Sequence, residues 1–311
     1  MTASEKRFAT KERPFDMDDI AQKIVDAGEA GLWSRIERSL ALQMERNPDD
    51  ASLLHQLGLH YRQSGQLIKA TEIYSRLMIL DGQDDLAILL WQVCSGNPEK
   101  GSRTVGPIEP ARFILRRNFL SPDAREIMFH LFDTKYPAME ELDIGRAHDI
   151  GDTQFKIDRS MRHQFGIYCK TELQDIIQTE IMDQFPGFCD GLNVERFLPD
   201  KHVVRLDYTP HGGFGKMHQD VGFGARLSYL YYFNSQPKKF RGGDLLFFDQ
   251  DRKTGQPLPH QFTRVCHEDN LLVIFPPHHF HQVTRVAAKN LPLAAADSRL
   301  SVCGFIHPKE A

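Results

Sequence analysis

The sequence predicts an α+β protein in which a helical N-terminal region precedes a β-rich C-terminal region. Apolar residues recur at helical spacing between about residues 17 and 98. After Phe197 the pattern changes to short runs of Val, Tyr, Phe and Leu that are separated by Gly, Pro and Asp. Six such runs with no helix between them indicate a closed or double-sheet antiparallel structure, that is, a barrel or a jelly roll.

The composition limits the classes of function. The chain has 311 residues, enough for two domains or one large one, and a formal net charge of −4. Without a long basic run, neither nucleic acid nor an anionic membrane is an expected partner. The charged N-terminus contains no apolar stretch typical of a signal peptide, and the five scattered cysteines indicate reduced thiols. We therefore expect a cytoplasmic protein.

Residues 51–84 fit a 34-residue helical unit. The small and aromatic positions that make this unit resemble a tetratricopeptide hairpin are held by Leu54, Gly58, Tyr61, Ala70 and Tyr74. Gly58 and Ala70 are small enough to let two antiparallel helices approach closely. A weaker copy precedes this unit and a truncated one follows it. An ordinary amphipathic helical bundle is the alternative interpretation.

Changes in residue composition and hydrophobic pattern along the chain predict the domain boundaries. We expect a flexible arm over residues 1–16, a tetratricopeptide-like helical domain over 17–98, a linker over 99–110 and a β-rich domain over 111–311. The linker is predicted because its Pro and Gly interrupt any apolar periodicity.

Two helices are predicted within the β-rich domain, in addition to a short strand at its start. Ser121 is a suitable N-cap, with Pro122 at the first helical position. The second helix follows from an apolar stripe in KTELQDIIQTEIMDQF. Between these helices, the polar residues 144–164 form either a mobile lid or a long surface connection. The six predicted strands are HVVRLDYT, ARLSYLYYFN, GGDLLFFD, NLLVIF, FHQVTRV and RLSVCGFIH.

Three polar residues have the spacing of metal ligands. His218 and Asp220 are separated by one residue, so in an extended segment both side chains point to the same face. His281 opens a later strand. Two imidazoles and one carboxylate form the facial triad that binds Fe(II) and leaves further positions open. His278 and His279 are the alternatives for the third ligand, but they follow two prolines, so we expect them in a turn and facing solvent.

Arg299 and Ser301 place a guanidinium and a hydroxyl on one face of the last strand, an arrangement that suits a carboxylate of a ligand. Arg285 is the alternative anchor. Gly242 and Gly243 are expected to make a tight strand entry with an unusual φ. Tyr229 and Tyr231 are expected to be packing residues. Four further residues are of types that bind zinc, but we expect them to be structural. They are Cys266, His267, Cys303 and His307.

These stretches resemble the Fe(II)/2-oxoglutarate-dependent oxygenases, within them the prolyl 4-hydroxylase-like branch. The motifs stand in the family's order as RLDYTPHGGFGKMHQD, RLSYLYYFN, RGGDLLFFD, NLLVIFPPHHFHQV and RLSVCGF. The resemblance covers about residues 107–311 and is strongest over 203–305. One departure is the long spacing between His281 and Arg299, which we interpret as an inserted loop.

The resemblance implies a double-stranded β-helix (jelly-roll) oxygenase domain with flanking helices, preceded by the helical repeats. It implies iron ligation by His218, Asp220 and His281, with no further catalytic residue. The residues that it assigns to 2-oxoglutarate are Arg299, Ser301, Tyr208, Ser228 and Tyr232. The implied cofactors are Fe(II), 2-oxoglutarate as cosubstrate and O₂, with ascorbate as an additional one.

The expected activity is hydroxylation of a C–H bond, with decarboxylation of 2-oxoglutarate to succinate. The expected substrate is a prolyl or similar residue in a peptide or protein, because helical repeats offer concave peptide-binding surfaces. One alternative is a hydroxylase of a free amino acid or natural-product intermediate, in which the helices form a homodimer. Another is a non-catalytic scaffold that binds partners. Asp220 disfavours a halogenase, and Phe305 disfavours a nucleic-acid demethylase, because these families carry other residues there.

Overall fold

The computed structural model describes residues 17–96, 106–141, 163–169, 173–221 and 224–309. The predicted arm, most of the linker and nearly all of the polar segment 144–164 lie outside the described residues. Within the described ranges, N-terminal helices precede a sheet-rich C-terminal region, as the sequence predicts. No helix in these ranges is both long and apolar enough to cross a bilayer.

Close helix packing marks the N-terminal region. Its helices are α1 Met17–Ala27, α2 Trp33–Arg46, α3 Ala51–Gln63, α4 Leu67–Leu80 and α5 Asp85–Ser95. The Asp50 and Asp84 side chains cap α3 and α5 by accepting backbone N–H groups of the first turn. Gly58 of α3 makes room for Tyr74 of α4, because a Cβ at Gly58 would lie 2.6 Å from Tyr74 Cζ. The predicted close approach of α3 and α4 is therefore confirmed, whereas tetratricopeptide ancestry stays a prediction.

Two further helices, α6 Pro122–Lys135 and α7 Thr179–Gly191, belong to the C-terminal region. Ser121 caps α6 as predicted, since its side chain accepts the backbone N–H of Ala124 at 3.3 Å. A π-helical turn over Gln174–Gln178 leads into α7.

Two main antiparallel sheets and one two-stranded sheet form the described part of the C-terminal region. In chain order the strands are β1 Ile108–Glu109, β2 Ile114–Arg117, β3 Glu140–Glu141, β4 Phe165–Tyr168, β5 Pro199–Thr209, β6 Gly215–His218, β7 Leu227–Phe233, β8 Phe240–Arg241, β9 Leu245–Asp251, β10 Pro257–Val265, β11 Leu271–Phe275, β12 His281–Val283, β13 Ala287–Ala288 and β14 Arg299–Pro308. The larger sheet has the order β2-β11-β7-β14-β5-β4-β3. The smaller sheet has the order β1-β9-β12-β6, with β10 also paired to β9. This arrangement is consistent with the predicted jelly roll.

All six predicted strands are present, but other strands escaped the sequence patterns. Strand β10 has the sequence PLPHQFTRV, in which two prolines and polar residues hide the alternation, yet it pairs with β9. Strand β6 has only four residues. Strand β1 lies within the predicted linker but pairs with β9, so the end of that linker belongs to the smaller sheet. The inserted loop contributes β13, which pairs with β8.

The inner faces of the sheets share an apolar core. Leu245 and Phe247 of the smaller sheet pack with Leu230 and Val273 of the larger sheet. The outer face of the larger sheet is covered by α6 and α7. Tyr229 and Tyr231 are fully buried in that outer cluster and are packing residues, as predicted.

The helical region packs directly on the smaller sheet. Ala21 and Val25 of α1 are buried against Leu246 of β9. Arg62 of α3 forms a buried ion pair with Asp249 of β9, with Nη2 and Oδ1 separated by 2.6 Å. The same guanidinium donates to the hydroxyl of Thr263 on β10 at 2.9 Å. Apolar contacts at Leu246 and ionic contacts at Asp249, which by strand alternation lie on opposite faces of β9, therefore join the helices to the smaller sheet.

Candidate functional site

The structure brings His218, Asp220 and His281 together. His218 ends β6 and His281 begins β12, and the two are register partners with ring centroids 4.3 Å apart. Asp220 lies two residues beyond β6. Its two carboxylate oxygens lie 3.7 Å from Nε2 of His218 and 3.7 Å from Nε2 of His281. All three candidate ligand atoms lie within 4.8 Å of one another. The two 3.7 Å separations are too long for hydrogen bonds.

Both imidazoles are oriented by backbone carbonyls. Nδ1 of His218 donates to the carbonyl of Lys216 at 2.7 Å, and Nδ1 of His281 donates to the carbonyl of His279 at 3.0 Å. A hydrogen bond of this kind fixes the tautomer and leaves the lone pair on Nε2. In both rings Nε2 is the atom near Asp220. Two neutral imidazole nitrogens and one carboxylate are the donor set that suits Fe(II), so the residues present fit this metal.

The turn Pro276–His279, here called the PPHH turn, supports the triad. Its consecutive carbonyls accept hydrogen bonds from both ligand-bearing segments. Pro277 accepts the backbone N–H of Asp220 at 2.8 Å, and His278 accepts the side-chain amide of Gln219 at 2.5 Å. His279 accepts Nδ1 of His281, as described above.

The two histidines of the PPHH turn behave differently. His278 is exposed, as predicted. The prediction that His279 also faces solvent is wrong, because its side chain is 2 % exposed. Its Nε2 accepts the backbone N–H of Arg112 at 3.1 Å. Burial lowers the pKa of His279 well below its usual value, so the ring is neutral and can accept this hydrogen bond.

Arg299 is a buried cation with an incomplete set of partners. Its side chain is 1 % exposed, Nε donates to the carbonyl of Gly243 at 2.6 Å, and Nη1 donates to the hydroxyl of Ser301 at 3.1 Å. Nη2 has no hydrogen-bond partner, and among the described residues no carboxylate forms an ion pair with Arg299. A buried, unpaired charge is costly, so this guanidinium is suited to the carboxylate of a ligand.

Two buried hydroxyls lie on the strand beside Arg299. Tyr232 and Ser301 are register partners, and the Arg299 guanidinium lies 4.9 Å from the Tyr232 ring. Ser228 and Tyr232 occupy the same face of β7. Both hydroxyls are buried without a hydrogen-bond partner in the described part of the chain. Burial, partly offset by Arg299, raises the pKa of Tyr232 to about 12, so the phenol keeps its proton and can donate it. We call Arg299, Ser301 and Tyr232 the Arg299 pocket. Ser228 pairs with Phe305, four residues beyond Ser301 on β14, so its predicted contact with 2-oxoglutarate stays a prediction.

Tyr208 does not belong to the Arg299 pocket. In β5 it pairs with Leu300, which lies in the outer cluster, whereas its neighbour Asp207 pairs with Ser301. The Tyr208 ring stacks on Phe165 at a centroid distance of 4.9 Å, among the aromatic residues beneath α6. Strand alternation places the Tyr208 side chain on the face of β5 opposite to that of Asp207, and its predicted contact with 2-oxoglutarate stays a prediction.

The other candidate residues lie elsewhere. Arg285 is exposed and donates to the carbonyl of Gly212 at 3.2 Å. The sulfur and nitrogen atoms of the suggested zinc residues do not cluster, since within the described residues only the triad gathers three metal-ligating groups.

His267 is a neighbour of the Arg299 pocket that the sequence did not reveal. Its ring lies 4.5 Å from that of Tyr232, and its Nε2 donates to the carbonyl of Leu300 at 3.2 Å. Burial, and then the nearby charge of Arg299, lowers the pKa of His267 well below its usual value. The ring is therefore neutral. It lies in a loop that only the tertiary fold brings to β7.

Gly243 is expected to be essential for the position of Arg299. Its φ is +70°, and a Cβ there would lie 2.6 Å from Arg299 Cδ. Gly243→Ala should therefore displace Arg299 and weaken 2-oxoglutarate binding by about tenfold or more, because a misplaced guanidinium no longer meets the ligand carboxylate. Titration of 2-oxoglutarate measures the loss. Gly255→Ala is the matched control, because Gly255 has φ +68° but no atom within 4 Å of its Cβ position. Equal effects of the two variants would contradict the steric explanation.

The chain is similar in sequence to known proteins. Residues 203–307 match the family model of the 2OG-Fe(II) oxygenase superfamily. An uncharacterized PKHD-type hydroxylase of Synechocystis sp. is 25% identical over 202 residues, which are 62% of this chain and 62% of that protein. The match thus spans less than two thirds of that relative's length.

Two solved structures are also similar. One is a prolyl-4-hydroxylase of Pseudomonas putida, with 16% identity, a TM-score of 0.43 and coverage of 64% of this chain and 94% of that one. The other is a viral collagen prolyl hydroxylase from Paramecium Bursaria Chlorella virus-1, with 10% identity, a TM-score of 0.38 and coverage of 62% and 94%. The resemblance to the oxygenase superfamily therefore rests on the sequence matches and the ligand residues, and not on these two structures.

The stretch that matches the family model holds all three residues of the triad and the three residues of the Arg299 pocket. Over residues 203–307, the chain is therefore similar to the 2OG-Fe(II) oxygenase superfamily both in sequence and in its candidate metal ligands.

Proposed function

We propose that the protein is an Fe(II)- and 2-oxoglutarate-dependent dioxygenase that hydroxylates a C–H bond. The observation that carries this proposal is that one β-rich region holds both a set of metal ligands and a buried guanidinium without a partner anion among the described residues. His218, Asp220 and His281 present a ligand set for Fe(II). Arg299 presents a buried guanidinium that lacks an anion. A metal chelator with a second, distal carboxylate satisfies both sites, and 2-oxoglutarate has this chemistry.

The residues of the chain have separate tasks in this reaction. When bound, the iron supplies O₂ activation coupled to decarboxylation of 2-oxoglutarate to succinate. Arg299 and Ser301 bind and orient the distal carboxylate, and the Tyr232 hydroxyl donates a further hydrogen bond. Phe275 lies 4.9 Å from His281 between ring centroids, and Phe247 lies 6.3 Å from it. Both rings are buried, so they exclude water from this side of the metal centre.

We propose a prolyl or similar residue in a peptide or protein as the substrate. The order of the prolyl 4-hydroxylase-like motifs supports this class, as does the hydroxylase relative from Synechocystis. The N-terminal helices give this substrate class less support, because one face of α3 is already occupied by the sheet. Arg62 and Gln63 of α3 are hydrogen bonded to β10, through Thr263 and the carbonyl of His260. We therefore place the substrate at the metal centre rather than on this face of α3.

The substrate class can be tested by the products formed. Wild-type protein and an Asp220→Ala variant are incubated with 2-oxoglutarate and either cell-lysate peptides or free amino acids. A mass gain of one oxygen in peptides, absent with the variant, supports the proposal. Hydroxylation of free amino acids alone would favour the small-molecule alternative, and product from neither mixture would contradict the peptide class.

The metal assignment makes a direct spectroscopic prediction. Anaerobic addition of Fe(II) and 2-oxoglutarate to the whole chain should produce a weak visible metal-to-ligand charge-transfer band. His218→Ala should abolish this band and 2-oxoglutarate turnover, because two protein ligands do not complete the facial triad. His130→Ala is the control, since this histidine is exposed on α6, which covers the outer face of the larger sheet. A band of full strength in His218→Ala, or none in the wild type, would refute the assignment.

A further inference from the structure

The metal ligands depend on the backbone of the PPHH turn. Its carbonyls at residues 277, 278 and 279 accept hydrogen bonds from Asp220 N–H, the Gln219 side chain and His281 Nδ1. A displacement of this turn would therefore move two of the three ligands together. The position of the turn thus decides the geometry of the metal centre.

One side chain of the PPHH turn ties it to a distant part of the chain. His279 is buried, and its Nε2 accepts the backbone N–H of Arg112 at 3.1 Å. Arg112 lies in the short segment between β1 and β2, which belong to different sheets. The preceding residue, Ala111, is also buried, and its backbone is hydrogen bonded to the Asp249 carboxylate.

Asp249 connects this segment to the helices. Its carboxylate also forms the buried ion pair with Arg62 of α3. A continuous series of contacts therefore runs from α3 through Asp249, Ala111 and Arg112 to His279. Every link is a hydrogen bond or ion pair between buried groups, so the solvent does not screen or replace it.

We infer that His279 is a positioning residue for the metal centre: its side chain fixes the PPHH turn, and hence His281 and Asp220, to the 111–112 segment that is bound to α3. The inference rests on the proposed function in that it takes the triad to bind a metal. It gives the helical region a part in the activity, because the helices hold the segment to which His279 is bound. His279 does not touch the metal or the substrate and acts only through the turn.

The test measures metal binding without turnover. Co(II) is titrated into the whole chain, and the affinity and the visible absorption of the bound Co(II) are compared among variants, together with the melting temperature. His279→Leu removes the acceptor for the Arg112 N–H and should weaken Co(II) binding about 10- to 100-fold, as other losses of groups that orient ligands do. The absorption spectrum should change as well, because the ligand geometry relaxes.

Two further variants control for size and place. His279→Gln should retain near wild-type affinity, because the side-chain oxygen of glutamine can accept the Arg112 N–H. His130→Leu should have no effect, because this exposed side chain lies on α6, which covers the outer face of the larger sheet. If His279→Leu does not fold, His279→Asn, whose shorter amide cannot reach Arg112, takes its place with the same expected loss.

The outcomes separate two kinds of failure. A lower melting temperature with unchanged Co(II) affinity and spectrum would show that His279 is merely structural and would overturn the inference. Equal losses in His279→Gln and His279→Leu would also overturn it. If wild-type protein does not bind Co(II) at all, the proposed metal centre itself is refuted.

Discussion

Arg299→Ala should weaken the binding of 2-oxoglutarate by about 100-fold or more, because loss of a buried charged partner costs roughly 2–5 kcal/mol. The guanidinium is held by Gly243 and Ser301 and has one nitrogen without a partner, so its remaining hydrogen-bonding capacity is directed at the ligand. Metal binding by the triad should not change, since Arg299 contacts none of its residues. Anaerobic titration of the Fe(II)-loaded protein with 2-oxoglutarate measures the effect.

Thermal stability offers an independent measure of the same interaction. A ligand that binds only the folded protein stabilises it by about 2.7 kcal/mol at 100 times its dissociation constant. The rise in melting temperature that 2-oxoglutarate causes in metal-loaded wild-type protein should therefore be absent in Arg299→Ala at the same concentration. Succinate added in place of 2-oxoglutarate distinguishes the carboxylate contact from chelation of the metal, since it lacks the 2-oxo group.

Two variants sharpen this experiment. Arg299→Lys keeps the charge but loses the planar fork that binds Gly243 and Ser301 together, so it should recover only part of the affinity. Arg285→Ala should leave the affinity unchanged, because Arg285 is exposed and bound to the carbonyl of Gly212. A greater loss in Arg285→Ala than in Arg299→Ala would mean that the anchor had been assigned to the wrong arginine.

The candidate triad was accessible from the sequence because its geometry is largely local. Two of its ligands are separated by one residue, and the third opens a strand with a clear alternation. Arg299 and Ser301 were accessible for the same reason, since both lie on one face of β14. Tyr208 was assigned by its distance from His218 along the chain, and that distance does not encode the face of β5. The pairing of β5 with β14 decides the face, and it places the Tyr208 side chain on the face opposite to that of Asp207.

The supporting residues were not accessible, because they are contacts between distant segments. His267 reaches Tyr232 from the loop after β10, a strand whose pattern is hidden by proline. His279 was assigned to solvent because two prolines precede it, yet the turn they form is covered by Arg112. Arg62 and Asp249 are 187 residues apart, and neither has a sequence signal that indicates a buried partner.

Among the substitutions proposed for this protein, those that break the Arg62–Asp249 ion pair should cause the largest loss of folding stability. Arg62→Met or Asp249→Leu alone should lower the free energy of unfolding by about 3–5 kcal/mol, because either change leaves the other charge buried without its partner. The side chains are only 2 % and 1 % exposed, so water cannot solvate the remaining charge. Urea unfolding followed by circular dichroism measures the change in midpoint, provided that the slope stays constant.

The double variant Arg62→Met/Asp249→Leu distinguishes the net contribution of the ion pair to folding stability from the cost of leaving one charge buried without a partner. Apolar residues of similar volume can replace a buried ion pair at little cost, so the double variant should be more stable than either single variant. Arg76→Met is the control on the same helical region, because its ion pair with Asp49 is solvent-exposed and should contribute less than about 1 kcal/mol. Additive losses in the double variant would mean that each residue stabilises the interface through other contacts. Recovery would instead show that the two charges depend on each other, and that α3 is held against β9 chiefly by packing, with the ion pair fixing its register on the sheet.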